Sequence, residues 1–254
     1  MGLLDGKNAV IYGGGGFIGS VVSRVFAREG AHVFVVGRNM DKLNPVVDAI
    51  NTAGGHATAA SVDVMDEAAV ETHLDSVGRV DAAVNLVSRG DVQGTRLLDM
   101  KVDDFVAPTE TGLRANFITA RACARRMAQQ GSGVILMVTS GSGGAATPPE
   151  VWPMGGTGPA DAAIESLMRY LAAEVGPRGV RAAVLWTAGA KDVESPSGDD
   201  PFEAKKDDLI ATASMLKRRP TVQHFAEMAA FLASDRGAGT TASIINVNSG
   251  LTSH

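Results

Sequence analysis

KNAVIYGGGGFIGSVVSRVFAREGAHVFVVG, residues 7–37, places two apolar runs on either side of a glycine turn and a segment of helical period. The first run, KNAVIYG over 7–13, and the last, AHVFVVG over 31–37, are continuously apolar, as strands are when helices cover both faces of their sheet. VVSRVFAREG between them has helical spacing, so the stretch reads as strand, crossover helix and parallel strand.

The same alternation runs on through the chain. Strands are expected near 56–62 (HATAASV), 80–86 (VDAAVNL), 133–139 (GVILMVT), 179–186 (GVRAAVLW) and 243–247 (SIINV). Helices are expected at 17–29, 40–53, 66–77, 102–129, 158–176 and 221–234. Seven strands fit one doubly wound parallel sheet, an α/β/α sandwich of three layers. With 254 residues, 45% of them hydrophobic, and no linker-like composition break, the reading is a single domain over 1–254. The segment 189–216 has little periodicity; it is read either as a lid over the carboxyl edge of the sheet or as a surface loop.

The turn itself, YGGGGFIGS, fits G-x-x-G-x-x-G through Gly13, Gly16 and Gly19, and G-x-G-x-x-G through Gly14, Gly16 and Gly19. Glycines let backbone approach a diphosphate, and the start of the next helix favours its charge, so Gly13, Gly14, Gly16, Phe17, Ile18 and Gly19 are candidate binders of a dinucleotide. At the end of the second strand, where an acidic residue would hold a ribose 2′-hydroxyl, stand Val36, Gly37 and Arg38. A guanidinium suits a 2′-phosphate, so NADP(H) is expected over NAD(H).

Composition narrows the remainder. A net charge of −5 gives no footprint for nucleic acid. One cysteine, Cys123, cannot form an internal disulfide and reads as a buried structural thiol in a reducing compartment. No apolar run reaches the roughly 20 residues of a membrane span, and a cytoplasmic protein without membrane partners is expected. The histidines show no metal-ligand spacing, so no metal is expected.

The chain resembles the single-domain short-chain dehydrogenase/reductase family along nearly its whole length. Beyond the glycine turn, Asp63–Val64 resembles the family's adenine-side pair. Asn85 is what remains of an Asn-Asn-Ala-Gly motif, Asn116 in LRANFITARA matches the Asn of the long fourth helix, and Ser140 after VILMVT matches the catalytic serine. RRPTVQHFAEMAAFLAS and ASIINVNSG resemble the last helix and strand. The resemblance implies a Rossmann-like fold, a small-molecule substrate, and a homodimer or homotetramer built partly through the helices at 102–129 and 158–176.

The family's Tyr-x-x-x-Lys pair is missing. The chain has two tyrosines; Gly16 lies four residues after Tyr12, and Glu174 four after Tyr170. Alignment on LAAE at 171–174 puts Thr157 at the tyrosine position and Asp161 at the lysine position. With Pro159 taken as the first helical residue, Asp161 reads either as a carboxylate serving the helix start or as an active-site carboxylate facing the nicotinamide. After the sixth strand, Ala188–Gly189 leads to Val193 where a nicotinamide-binding Thr is usual, leaving Gly189 as the cofactor contact there. Replacement groups near the carboxyl edge are Arg89, Glu110, Arg114, Glu150, Trp152, Lys191 and Asp192, with Lys191 the first choice as a substitute acid. Three functions follow: an NADP(H)-dependent oxidoreductase of a carbonyl or activated alkene, a non-redox isomerase, dehydratase or cyclase, and a catalytically silent NADP(H) binder.

Overall fold

The seven apolar runs form strands β1 (Asn8–Tyr12), β2 (His32–Gly37), β3 (His56–Ser61), β4 (Ala82–Asn85), β5 (Gly133–Thr139), β6 (Val180–Trp186) and β7 (Ser243–Asn246). Between them lie α1 (Phe17–Arg28), α2 (Met40–Thr52), α3 (Glu67–Val77), α4 (Val102–Gln130), α5 (Thr157–Val175), α6 (Pro201–Ala213) and α7 (Val222–Ala233). The computed structural model describes residues 2–142, 152–187, 189–191 and 201–251, with side chains from Asp207 onward in the last stretch.

All pairings are parallel and the order is β3-β2-β1-β4-β5-β6-β7. The expected seven-stranded, three-layer sandwich is what forms. Alternate residues of each strand feed two cores. Ile11, Val33, Leu136 and Leu185 meet α1, α2 and α7 through Phe26, Leu43 and Phe225. Val10, Ile135 and Val184 meet α3, α4 and α5 through Leu74, Met127 and Ile164. Each such side chain contributes roughly 1.5–3 kcal/mol on burial. The chain order reverses between β1 and β4, which opens a crevice beyond their carboxyl ends.

Two boundaries differ from expectation. α5 begins at Thr157, so Pro159 is its third residue and not its first. That position still lies in the first turn, where an N–H has no intrahelical acceptor to lose. The segment 189–216 contains α6, which opens on Pro201 and has no clear apolar stripe; residues 192–200 lie outside the described residues. Among the described residues no helix is long and apolar enough to cross a membrane.

Candidate active site

The glycine turn depends on two close approaches. Gly13 has φ +77°, and a Cβ there would lie 2.5 Å from the carbonyl oxygen of Leu86. A Cβ on Gly19 would lie 2.1 Å from the carbonyl oxygen of Gly13. Gly13 and Gly14 both donate to the carbonyl of Val36, and Gly16 donates to that of Gly13. No side chain caps α1 at Gly16. The amides of Phe17, Ile18 and Gly19 are therefore the open donors of a helix N-terminus, directed to the crevice beside β1 and β4.

On the β2–β3 side of this turn, Arg38 is exposed and its guanidinium has no protein partner among the described residues. Asn39 caps α2 by accepting from the amide of Asp41 at 2.8 Å. The backbone of Lys42 lies 2.9 Å from where a Gly15 Cβ would be, so the start of α2 is set against the glycine turn. Asp63 is exposed and accepts from the amide of Met65, while Val64 is buried. Asn85 lies inside: its Nδ2 donates to Thr119 Oγ1 at 2.9 Å and its Oδ1 accepts from the amide of Val87. It shapes the turn after β4 and ties it to α4.

On the β4–β6 side, Asp161 is fully buried and is the hub of a network. Its Oδ2 accepts from the Ser140 hydroxyl at 2.5 Å, the Ser142 hydroxyl at 2.9 Å, and the amides of both serines at 3.0 and 3.2 Å. Its Oδ1 accepts from Arg89 Nη1 at 2.6 Å. Five donors meet a group with about four lone-pair sites, so the carboxylate is saturated by protein. Asp161 is thus no solvated helix-start residue; it organises the turn after β5 and holds the Ser140 hydroxyl toward itself. The Arg89 guanidinium also donates from Nε to Asp91 Oδ2 at 3.2 Å. Its stem crosses α4 at Gly112, where a Cβ would come within 2.5 Å of Arg89 Cδ.

Thr157 is equally closed in. It is 1% exposed and its hydroxyl accepts from Gln93 Nε2 at 3.2 Å; Gln93 Oε1 accepts in turn from Trp152 Nε1 at 3.0 Å. One turn beyond Asp161, Glu165 is buried and accepts from Trp186 Nε1 at 2.7 Å and Thr139 Oγ1 at 3.2 Å. The loop after β4, the end of β5 and the first turns of α5 therefore form one polar assembly.

Asn116 lies behind it in α4, donating to the Gly112 carbonyl at 2.9 Å, with its Oδ1 buried and without a partner among the described residues. It lines a cavity of about 10 Å³ together with Tyr12, Asn85 and Thr119, room for one water molecule. Lys191 is directed elsewhere: its Nζ lies 3.7 Å from Asp207 of α6, and it makes no contact with the Ser140–Asp161 assembly. Gly189 accepts from Arg219 Nε at 2.6 Å, and Arg219 also pairs with Asp207, which joins the loop after β6 to α6. Glu110 and Arg114 are an exposed i,i+4 pair. Glu150 and Asp192 lie outside the described residues. Among the described residues no three His, Cys, Asp or Glu side chains gather in a way that could hold a metal ion.

Sequence reasoning brought Ser140, Thr157 and Asp161 together but missed Gln93, Ser142, Gly112 and Glu165. The signal available for Glu165 was its spacing, four residues after Asp161 on the helix face that carries Ile164 and Met168. Arg89 was a candidate only as one loop cation among several.

Taken together, the reversed strand order, the glycine turn and the open helix start define a dinucleotide-binding α/β protein. A family model described as enoyl-(acyl carrier protein) reductase matches residues 16–252. The 7alpha-hydroxysteroid dehydrogenase of Escherichia coli K12 is 30% identical over 256 residues, covering 97% of this chain and 94% of its own. A gluconate 5-dehydrogenase from Burkholderia cenocepacia, solved with NADP and tartrate, superposes with a TM-score of 0.85 at 26% identity, over 99% of this chain and 97% of that one. A 7 alpha-hydroxysteroid dehydrogenase solved with NADH and 7-oxo glycochenodeoxycholic acid gives a TM-score of 0.82 at 28% identity, over 97% and 94%. The chain belongs to the short-chain dehydrogenase/reductase family, whose members are oxidoreductases that bind nicotinamide cofactors.

Proposed function

We propose that the protein is an NADP(H)-dependent oxidoreductase that acts on a carbonyl or an activated alkene of a small molecule. The observation that carries the cofactor choice is Arg38, exposed and without a protein partner beside the glycine turn. The backbone from Gly13 to Gly19 holds the diphosphate, Arg38 the 2′-phosphate, and Asp63 and Val64 the adenine side. Asn85 and Gly189 shape the nicotinamide side. When bound, the cofactor supplies hydride chemistry, and the protein contributes position and field.

Ser140, Asn116, Thr157, Asp161 and Lys191 are the proposed catalytic set, with unequal parts. Ser140 donates to the substrate oxygen by turning its hydroxyl away from Asp161, which otherwise holds it. Thr157 and Asp161 offer no equivalent of a phenol and an ammonium, so a water delivers the proton. Lys191 reaches the substrate only by leaving Asp207. The exposed apolar side chains Val102, Phe105, Val106 and Phe117 of α4, with Tyr170 of α5, support a homodimer or homotetramer built on these two helices.

A second reading has one specific observation in its favour. The saturated Asp161 and the closed-in Thr157 are also what a silent NADP(H) binder, or a non-redox enzyme on this scaffold, would have. NADPH fluorescence titration followed by a carbonyl panel separates these. Binding with NADPH oxidation, abolished by Ser140→Ala, supports the oxidoreductase; binding without oxidation supports the second reading. Arg38→Ala leaving the NADPH to NADH preference unchanged would remove the 2′-phosphate assignment.

A further inference from the structure

β3 is an outer strand of the sheet, with β2 on one side and no described strand on the other. The amide of Val62, just past its end, donates to the carbonyl of Gly37 in β2. Backbone groups of alternate residues in a strand face opposite neighbours, so Thr58 and Ala60 also face β2, while Ala57, Ala59 and Ser61 turn their N–H and C=O groups outward. The strand, HATAAS, has no Lys, Arg, Asp, Glu or Pro, and its register against β2 runs without a bulge from His56 to Ser61. Charges, prolines and bulges are what ordinarily keep a sheet edge from pairing with another chain.

A different guard is present. Asn51, in the last turn of α2, accepts from the amide of Ala57 at 2.9 Å through Oδ1 and donates to the carbonyl of the same residue at 3.3 Å through Nδ2. One side-chain amide thus makes both bonds that a neighbouring strand would make at Ala57, and the two bonds together fix which end of the amide is oxygen. Among the described residues nothing meets the outward backbone groups of Ala59 or Ser61.

We propose that Asn51 is an edge block that keeps the β3 strand of a second copy of this chain from joining this one. The edge is self-complementary. Two copies related by a twofold axis would run β3 antiparallel to β3, with Ala59 opposite the partner's Ala59 and Ala57 opposite the partner's Ser61. Each such facing pair exchanges its bonds in both directions, so an open edge would join the copies through a ladder centred on Ala59. With Ala57 occupied by Asn51 in both copies, the outer pairs are lost and the central pair alone remains. That remnant is too small to offset the freedom lost on association. The inference is independent of the cofactor reading, and β3 lies apart from the α4–α5 surface proposed for the homo-oligomer.

The test is light scattering on the purified full chain over a range of concentrations. Asn51→Ala opens Ala57 and places a better helix former at the end of α2, so it should keep the wild-type helix content and reach at least twice the wild-type mass at high concentration. Asn51→Ala/Ala59→Pro also removes the outward amide of Ala59 while leaving the bonds to β2, and its mass should return to that of the wild type. A wild-type mass for folded Asn51→Ala, or association that Ala59→Pro does not reverse, overturns the inference and leaves Asn51 as a residue of the α2–β3 turn. Amide hydrogen exchange in the unaltered protein carries the test if Asn51→Ala does not fold. Ala57 should exchange much more slowly than Ala59 and Ser61 on the same strand, and equal rates would mean that the block does not form in solution.

Discussion

Arg89 and Asp161, 72 positions apart, meet at 2.6 Å with the carboxylate fully buried. Removing Asp161 leaves Arg89 only its 3.2 Å contact with Asp91 and deprives the amides and hydroxyls of Ser140 and Ser142 of their acceptor, and breaking a buried pair in this way costs about 3–5 kcal/mol. Asp161→Ala should therefore destabilise the fold by about that amount in urea denaturation. Arg89→Met/Asp161→Asn should cost less, because an amide oxygen still accepts from the Ser140 and Ser142 donors and no buried guanidinium is left short of a partner. Installing Thr157→Tyr with Asp161→Lys would set an ammonium against the guanidinium, so the family's pair should be tolerated only when Arg89 is replaced as well. Equal losses for Asp161→Ala and Arg89→Met/Asp161→Asn would show that the ion pair is not what holds these residues.

Gly112 gives a sign reversal. Glycine to alanine inside a helix ordinarily gains about 1 kcal/mol. Here the new Cβ would meet Arg89 Cδ at 2.5 Å and Cγ at 2.9 Å, and the guanidinium beyond them is pinned by Asp91 and Asp161. Gly112→Ala should lower the melting temperature, and in an Arg89→Ser background the same change should raise it. A gain in the wild-type background would mean that the Arg89 stem moves aside at no cost.

How much of this was legible in the sequence follows from where each signal resides. Strands such as VRAAVLW declare themselves because both faces are covered, and the glycine turn because backbone approach demands glycine at fixed spacing. α6 was not legible: PFEAKKDDLIATA places polar side chains all round, so there is no stripe to read. Asp161 was legible as a departure from a family position, but its partner was not. Arg89 reaches it only because β4 and β5 are neighbours in the sheet and α5 packs beside them, a relation that leaves no local trace. Glu165 was missed because Trp186 and Thr139, which satisfy it, come from two strands that its own helix sequence does not point to.

His73 supplies a pH dependence. It is 7% exposed in α3, both ring nitrogens lack a hydrogen-bond partner among the described residues, and Phe34 packs edge-on at 6.2 Å between ring centroids. Burial holds its pKa below the ordinary 6.5, since a charged imidazole would lose its hydration there. The unfolded chain then takes up a proton as pH falls through about 6.5, while the native chain does so only at lower pH. Its contribution is intact above that pH and is lost on acidification between the unfolded and folded values. His32, lowered by burial and then by His56, acts in the same direction. Unfolding free energy measured from pH 8 to pH 5 should decline below about pH 6.5, and His73→Leu should flatten part of that decline. A slope identical in the two proteins would assign the dependence elsewhere.

Cys123 should be silent toward thiol reagents while the fold is intact. It is fully buried in α4, its Sγ lies 3.7 Å from the hydroxyl of Tyr12, and burial pushes its pKa up to about 12. The thiolate is the reactive species, so at pH 8 only about one molecule in 10⁴ is poised to react, and that one is shielded by protein. Native protein mixed with an aromatic disulfide reagent should release no colour over the minutes in which a free thiol reacts completely, and one equivalent should appear in denaturant. Where slow labelling occurs, its rate should follow the opening of α4 from the sheet and rise in variants such as Asp161→Ala that loosen α5 against it. Prompt stoichiometric labelling in native buffer would mean that the α4–α5 layer opens far more readily than its packing implies.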